Sequence, residues 1–82
     1  MKIIKISTET CGPCKSQKAE MEKLKNIEIV NVNAEEDEDT VDKYNVRSVP
    51  TIIVLDDSDK ELKRWTGFTL ATEIQGFINT LV

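Results

Sequence analysis

The residues best able to do chemistry are two cysteines, Cys11 and Cys14, in the run Thr10-Cys11-Gly12-Pro13-Cys14-Lys15. Residues 2–7 before them read as a strand and residues 15–25 after them as a helix. Thiols three apart at a helix start can both reach the same sulfur chemistry. The first lies where unpaired N–H groups and the helix dipole favour an anion. Because the thiolate is the reactive form of cysteine, that position activates Cys11. The expected chemistry is thiol–disulfide exchange.

A Cys-x-x-Cys pair taken alone also fits half of a zinc site, or chance. A structural zinc site needs four protein ligands, and the chain has two thiols and no histidine. Only a dimer pooling its thiols would complete such a set. The missing histidine also removes Cys–His nucleophile pairs and histidine general bases. Thiols, carboxylates, lysines and backbone remain. A strand–helix–strand setting favours the redox pair, so no metal and no cofactor beyond the cysteine pair are expected.

Composition bounds the rest. Eighty-two residues, 39% apolar and 32% charged, make one small globular domain over residues 1–82. No apolar run approaches the ~20 residues that span a bilayer, and no apolar core of a signal peptide follows Met1-Lys2-Ile3-Ile4-Lys5. A cytoplasmic protein without membrane contact is expected, and there a cysteine pair is more often catalytic or metal-binding than structural. The net charge of −4 speaks against nucleic acid, whose phosphates need a basic patch.

The elements that must position the thiols follow from periodicity. In the first strand Ile4 and Ile6 point one way while Ile3, Lys5 and Ser7 point the other. A helix over residues 12–25 accepts Pro13 in its first turn, turns Cys14, Met21 and Leu24 inward, and stops at Asn26. Residues 27–33 form a second strand with apolar groups on both faces, which suits a parallel strand covered by helices. Residues 34–39 carry Glu35-Glu36-Asp37-Glu38-Asp39. The run reads as the solvated start of a second helix continued by residues 40–44, or as a charge filter for partners. It lacks the spacing and glycine of a calcium loop. Residues 51–55 and 61–66 form a hairpin around Asp56-Asp57-Ser58-Asp59. Thr69 is expected to cap a last helix carrying Leu70, Ile74, Phe77, Ile78 and Leu81. The order β-α-β-α-β-β-α describes a three-layer α/β domain.

Two stretches give a resemblance to a known family. Cys11-Gly12-Pro13-Cys14-Lys15 resembles the thioredoxin active-site motif, and Tyr44-Asn45-Val46-Arg47-Ser48-Val49-Pro50-Thr51 resembles that family's segment ending in a cis-proline. Gly67 matches a further landmark. The resemblance implies a thioredoxin-like fold, with a four-stranded mixed sheet flanked by three helices. It implies that Cys11 attacks a substrate disulfide and Cys14 resolves the mixed disulfide, with Gly12 and Pro13 shaping the turn. Thr10, Val49, Pro50, Gly67 and Phe68 would form the substrate rim, Val49-Pro50 being a cis bond whose backbone pairs with an extended peptide. The implied partners are proteins containing disulfides and a recycling enzyme of the thioredoxin reductase type. The protein is expected to be a monomer.

The chain departs from the family pattern in three places. The resemblance begins at the strand before the cysteines, without the N-terminal strand and helix of full-length thioredoxins. Thr10 stands where thioredoxins usually have tryptophan. Lys5 falls where they bury an aspartate beneath the second cysteine. Lys5 either bends out to solvent or sits near Cys14 and stabilises its thiolate by charge. Trp65 is expected to cover a sheet face or edge. Two other functions compete with disulfide reduction. A glutaredoxin-like enzyme using glutathione fits the size, although Gly67-Phe68-Thr69 lacks the Gly-Gly and acidic pair that hold glutathione. A non-catalytic binding module on the same fold is the other.

Overall fold

The strands read from the sequence join into one sheet in the computed structural model, which describes residues 1–81. The elements are β1 (Lys2–Ser7), α1 (Gly12–Met21), β2 (Glu28–Asn33), α2 (Glu38–Lys43), β3 (Thr51–Leu55), β4 (Glu61–Thr66) and α3 (Ala71–Asn79). The strand order is β2-β1-β3-β4. β1 runs parallel to β2 and antiparallel to β3, and β3 is antiparallel to β4. The expected four-stranded mixed sheet with three helices is the fold. The central strands are the apolar ones: all of β3 is buried, whereas the edges β2 and β4 hold the exposed charges.

Alternation along β1 divides the core between the two faces. Ile3 joins Met21, Ile52, Val54, Ile74 and Ile78 under α1 and α3. Ile4 and Ile6 join Ile53 and Leu55 on the face that Val41 and Tyr44 of the α2 region cover. Trp65 packs on the first cluster and meets Phe77 edge to face, with ring centroids 5.8 Å apart, so it covers a sheet face as expected.

Three boundaries differ from the sequence expectation, each for a local reason. α1 ends at Met21, four residues before Lys25. Its continuation tightens into turns in which Lys23 and Leu24 donate to Glu20 and Met21 carbonyls, and the Lys25 N–H donates to Gln75 of α3. Asn26 then takes a left-handed φ of 62°. α2 begins at Glu38 because the acidic run opens as a turn. Asn33 Oδ1 accepts the Glu35 N–H, and Asp37 caps the helix by accepting from the Thr40 N–H at 3.1 Å and the Thr40 hydroxyl at 2.8 Å. Thr69 does not cap α3. Leu70 holds that position without a side-chain bond, and Glu20 Oε1 accepts the Ala71 N–H from α1 instead. Leu70 and Leu81, expected to be carried by this helix, lie just outside α3 and are 55% and 41% exposed. No described helix is long and apolar enough to cross a membrane.

Candidate active site

β1 ends at Ser7, and the chain turns through Thr8–Thr10 so that Cys11 becomes the N-cap of α1. The Cys11 backbone is extended (φ −82°, ψ 115°), Pro13 lies in the first turn, and Cys11 Sγ accepts the Cys14 N–H at 3.1 Å. An orphan N–H of the helix start therefore points at the first sulfur. The cysteines are paired in a disulfide with Cα atoms 5.2 Å apart. They differ in access: Cys11 is half-buried and Cys14 only 4% exposed.

The Val49-Pro50 peptide is cis, and Cys11 Sγ lies 3.9 Å from the Val49 carbonyl oxygen. Pro50 is buried and its carbonyl accepts the Gly67 N–H at 2.8 Å. Gly67 has φ 90°, a conformation that glycine adopts without the strain of a Cβ. The Thr51 hydroxyl donates to Ser48 O at 2.7 Å and braces the same turn. Cys11, Cys14, Val49, Pro50 and Gly67 thus form one contiguous region. Phe68 follows Gly67 and is 47% exposed, and Thr10 is exposed beside Cys11. Gly12 and Pro13 are also exposed, at the head of α1.

Gln17 was not among the sequence candidates. It is fully buried on α1 and bridges the backbone of Thr69, its Oε1 accepting the Thr69 N–H at 2.7 Å and its Nε2 donating to the Thr69 carbonyl at 2.9 Å. The Gly67–Thr69 segment is thereby tied to the helix that carries the cysteines. The available signal was the inward stripe of α1, since position 17 lies between Cys14 and Met21 at helical spacing.

Lys5 is buried, 6% exposed, so it does not bend out to solvent. Burial pushes its pKa below the ordinary lysine value, repulsion from Lys18 adds to the fall, and attraction to Glu22 opposes it. Its ammonium opens into a cleft lined by Lys18, Met21 and Glu22 of the α1 region, not by either cysteine. Among the described residues no group of three or more His, Cys, Asp or Glu could hold a metal ion.

A thioredoxin family model matches residues 1–80. A thioredoxin of Bacillus subtilis is 32% identical over 74 residues, covering 84% of this chain and 70% of that protein. A thioredoxin of Mycoplasma genitalium is 36% identical over 73 residues, covering 84% and 71%. Among solved structures, thioredoxin-2 of the malaria parasite superposes with a TM-score of 0.89 at 28% identity, covering 95% of this chain and 80% of that one. Thioredoxin 1 of Thermosipho africanus gives 0.87 at 26% identity, covering 99% and 93%.

Proposed function

The chain belongs to the thioredoxin family and is a thiol–disulfide oxidoreductase, and from that premise we propose that it works as a reductase of protein disulfides. The observation that carries the direction of attack is the unequal access of the two sulfurs. Cys11 is half-buried at the helix N-terminus and Cys14 is enclosed.

In the reduced protein the Cys11 thiolate attacks one sulfur of a substrate disulfide. The substrate S–S bond breaks, an S–S bond from Cys11 to the substrate forms, and the other substrate sulfur leaves as a thiolate that takes a proton. Cys14, as its thiolate, then attacks Cys11 Sγ and expels the second substrate sulfur. The substrate gains two electrons and the protein holds them no longer, ending as the Cys11–Cys14 disulfide seen in the structure. Gly12 and Pro13 hold the sulfurs in this turn.

The substrate strand lies against the Val49-Pro50 backbone, flanked by Thr10, Gly67 and the exposed ring of Phe68. Proximity of Cys11 Sγ to Val49 O supports this placement. No carboxylate occupies the strand position of Lys5, and the cleft it lines includes neither cysteine. Electrons return from a flavin-dependent enzyme of the thioredoxin reductase type, in the cytoplasm, with the protein acting as a monomer.

The test couples reduction of a protein disulfide such as insulin to either recycling system. Turnover with NADPH and a thioredoxin reductase, absent in Cys11→Ser, is the expected result. Turnover only with glutathione and glutathione reductase assigns the glutaredoxin-like function instead. Activity with neither, from a protein whose cysteines cycle normally, leaves a binding module.

A further inference from the structure

Lys5 stands mid-strand in β1, in register with Asn31 of β2 on one side and Ile52 of β3 on the other. It is 6% exposed, and among the described residues its Nζ takes part in no hydrogen bond or ion pair. A charge withdrawn from bulk water without a partner is unfavourable. No fully buried side-chain nitrogen or oxygen among the described residues lacks a partner, so the ammonium retains an opening. It opens into a cleft of about 520 Å³ between α1 and the β1–β2 edge, a volume typical of small-molecule sites.

The cleft is graded in charge and polarity. Lys5 is the buried charge at its inner end, whereas Glu9, Lys18 and Glu22 are exposed at its rim. Met21, almost fully buried, and half-buried Ile29 give it an apolar wall. An anion that reaches Lys5 replaces weak hydration with a charge-assisted hydrogen bond in a poorly solvated place. The two rim carboxylates stand against a single rim cation and disfavour a ligand with several negative charges. The apolar wall rewards a carbon skeleton.

We propose that this cleft is a binding site for a small organic monoanion, its carboxylate against the Lys5 ammonium and its carbon body on Met21 and Ile29. The site is separate from the dithiol, since neither cysteine lines it. Its wall at Ser7 and Thr8 leads into Cys11, whose N–H faces the Thr8 carbonyl at 3.5 Å, so amides of that turn report occupancy.

The test is an amide NMR titration of the oxidised full chain at fixed ionic strength with hexanoate, hexanol and inorganic phosphate. Hexanoate is expected to give saturable shifts at Ser7, Lys18 and Asn31, with hexanol and phosphate binding more weakly. Lys5→Met is expected to weaken hexanoate by about tenfold or more, the worth of one charge-assisted contact. Lys5→Gln keeps a polar side chain and serves the same comparison if Lys5→Met misfolds. No saturable shift in the wild-type chain, equal binding of hexanol, tighter binding of phosphate, or unchanged affinity in the Lys5 variants each overturns the proposal.

Discussion

At the N-terminal end of α1 the Cys14 N–H meets Cys11 Sγ, the Gly67 N–H meets the Pro50 carbonyl, and both ends of the Gln17 amide meet the Thr69 backbone. Further along the same helix, Lys18 and Glu22 overlook an ammonium on β1 that has no partner among the described residues. The two regions share a helix and a strand, yet the first is closed in its hydrogen bonding and the second is left open. A closed network holds reacting sulfurs and a substrate strand in fixed geometry, which is what positioning for a displacement requires. An open one has polar capacity to spare for something else.

The largest expected effect breaks the closed region at its centre. Cys11→Ser is predicted to lower insulin reduction by at least about a thousandfold, because a hydroxyl does not replace the thiolate nucleophile. Next comes Gln17→Leu. It leaves the Thr69 N–H and carbonyl without partners where water is excluded, so unfolding in urea should show a loss of about 3 kcal/mol. Faster hydrogen exchange at residues 67–69 should accompany it, since the tether to α1 is gone.

The open region predicts the opposite sign. Lys5→Met replaces an unpaired charge with an apolar chain of similar length, and equilibrium unfolding at neutral pH should show a gain of about 1 kcal/mol. The sign with pH follows from the lowered lysine pKa, caused first by burial, then by Lys18, against Glu22. Below the lowered folded value both folded and unfolded chains hold the proton, and the full penalty is present. From there up to the ordinary value of 10.5 the unfolded chain binds more protons, so wild-type stability rises relative to Lys5→Met and the gap narrows. A gap that widens with pH would contradict the placement of Lys5.

The smallest effect lies away from both regions. The Asp37 carboxyl is held below its ordinary pKa by the Thr40 hydroxyl and then the Thr40 N–H. Its contribution is present above the ordinary carboxylate value and is lost as pH falls through the lowered one. Asp37→Ala should therefore differ from wild type at neutral pH and converge with it in acid, as read by thermal unfolding across that range.

How legible these regions were in the sequence follows from the range of their interactions. The cysteine pair, Pro50, the strands and the split of β1 between two faces depend on local spacing or on motifs within a few residues, and each was readable. Gln17 was not, because its partner is the backbone of a residue 52 positions away. The end of α1 and the cap of α3 were misplaced for the same reason: Gln75 receives the Lys25 N–H, and Glu20 receives the Ala71 N–H. Helical spacing marks Gln17 as inward, but it does not name the distant backbone that such a side chain satisfies. Lys5 was visible as an unusual residue, but its burial depends on the α1 side chains that close over β1.

The two sulfurs have unequal roles set by unequal exposure. The most direct test of that inequality mixes each reduced single-cysteine variant, Cys14→Ser and Cys11→Ser, with a protein disulfide and maps the adducts by peptide mass spectrometry. A stable mixed disulfide on Cys11 is expected in the first variant and little or none on Cys14 in the second. Equal trapping by the two cysteines, or trapping mainly on Cys14, would contradict it.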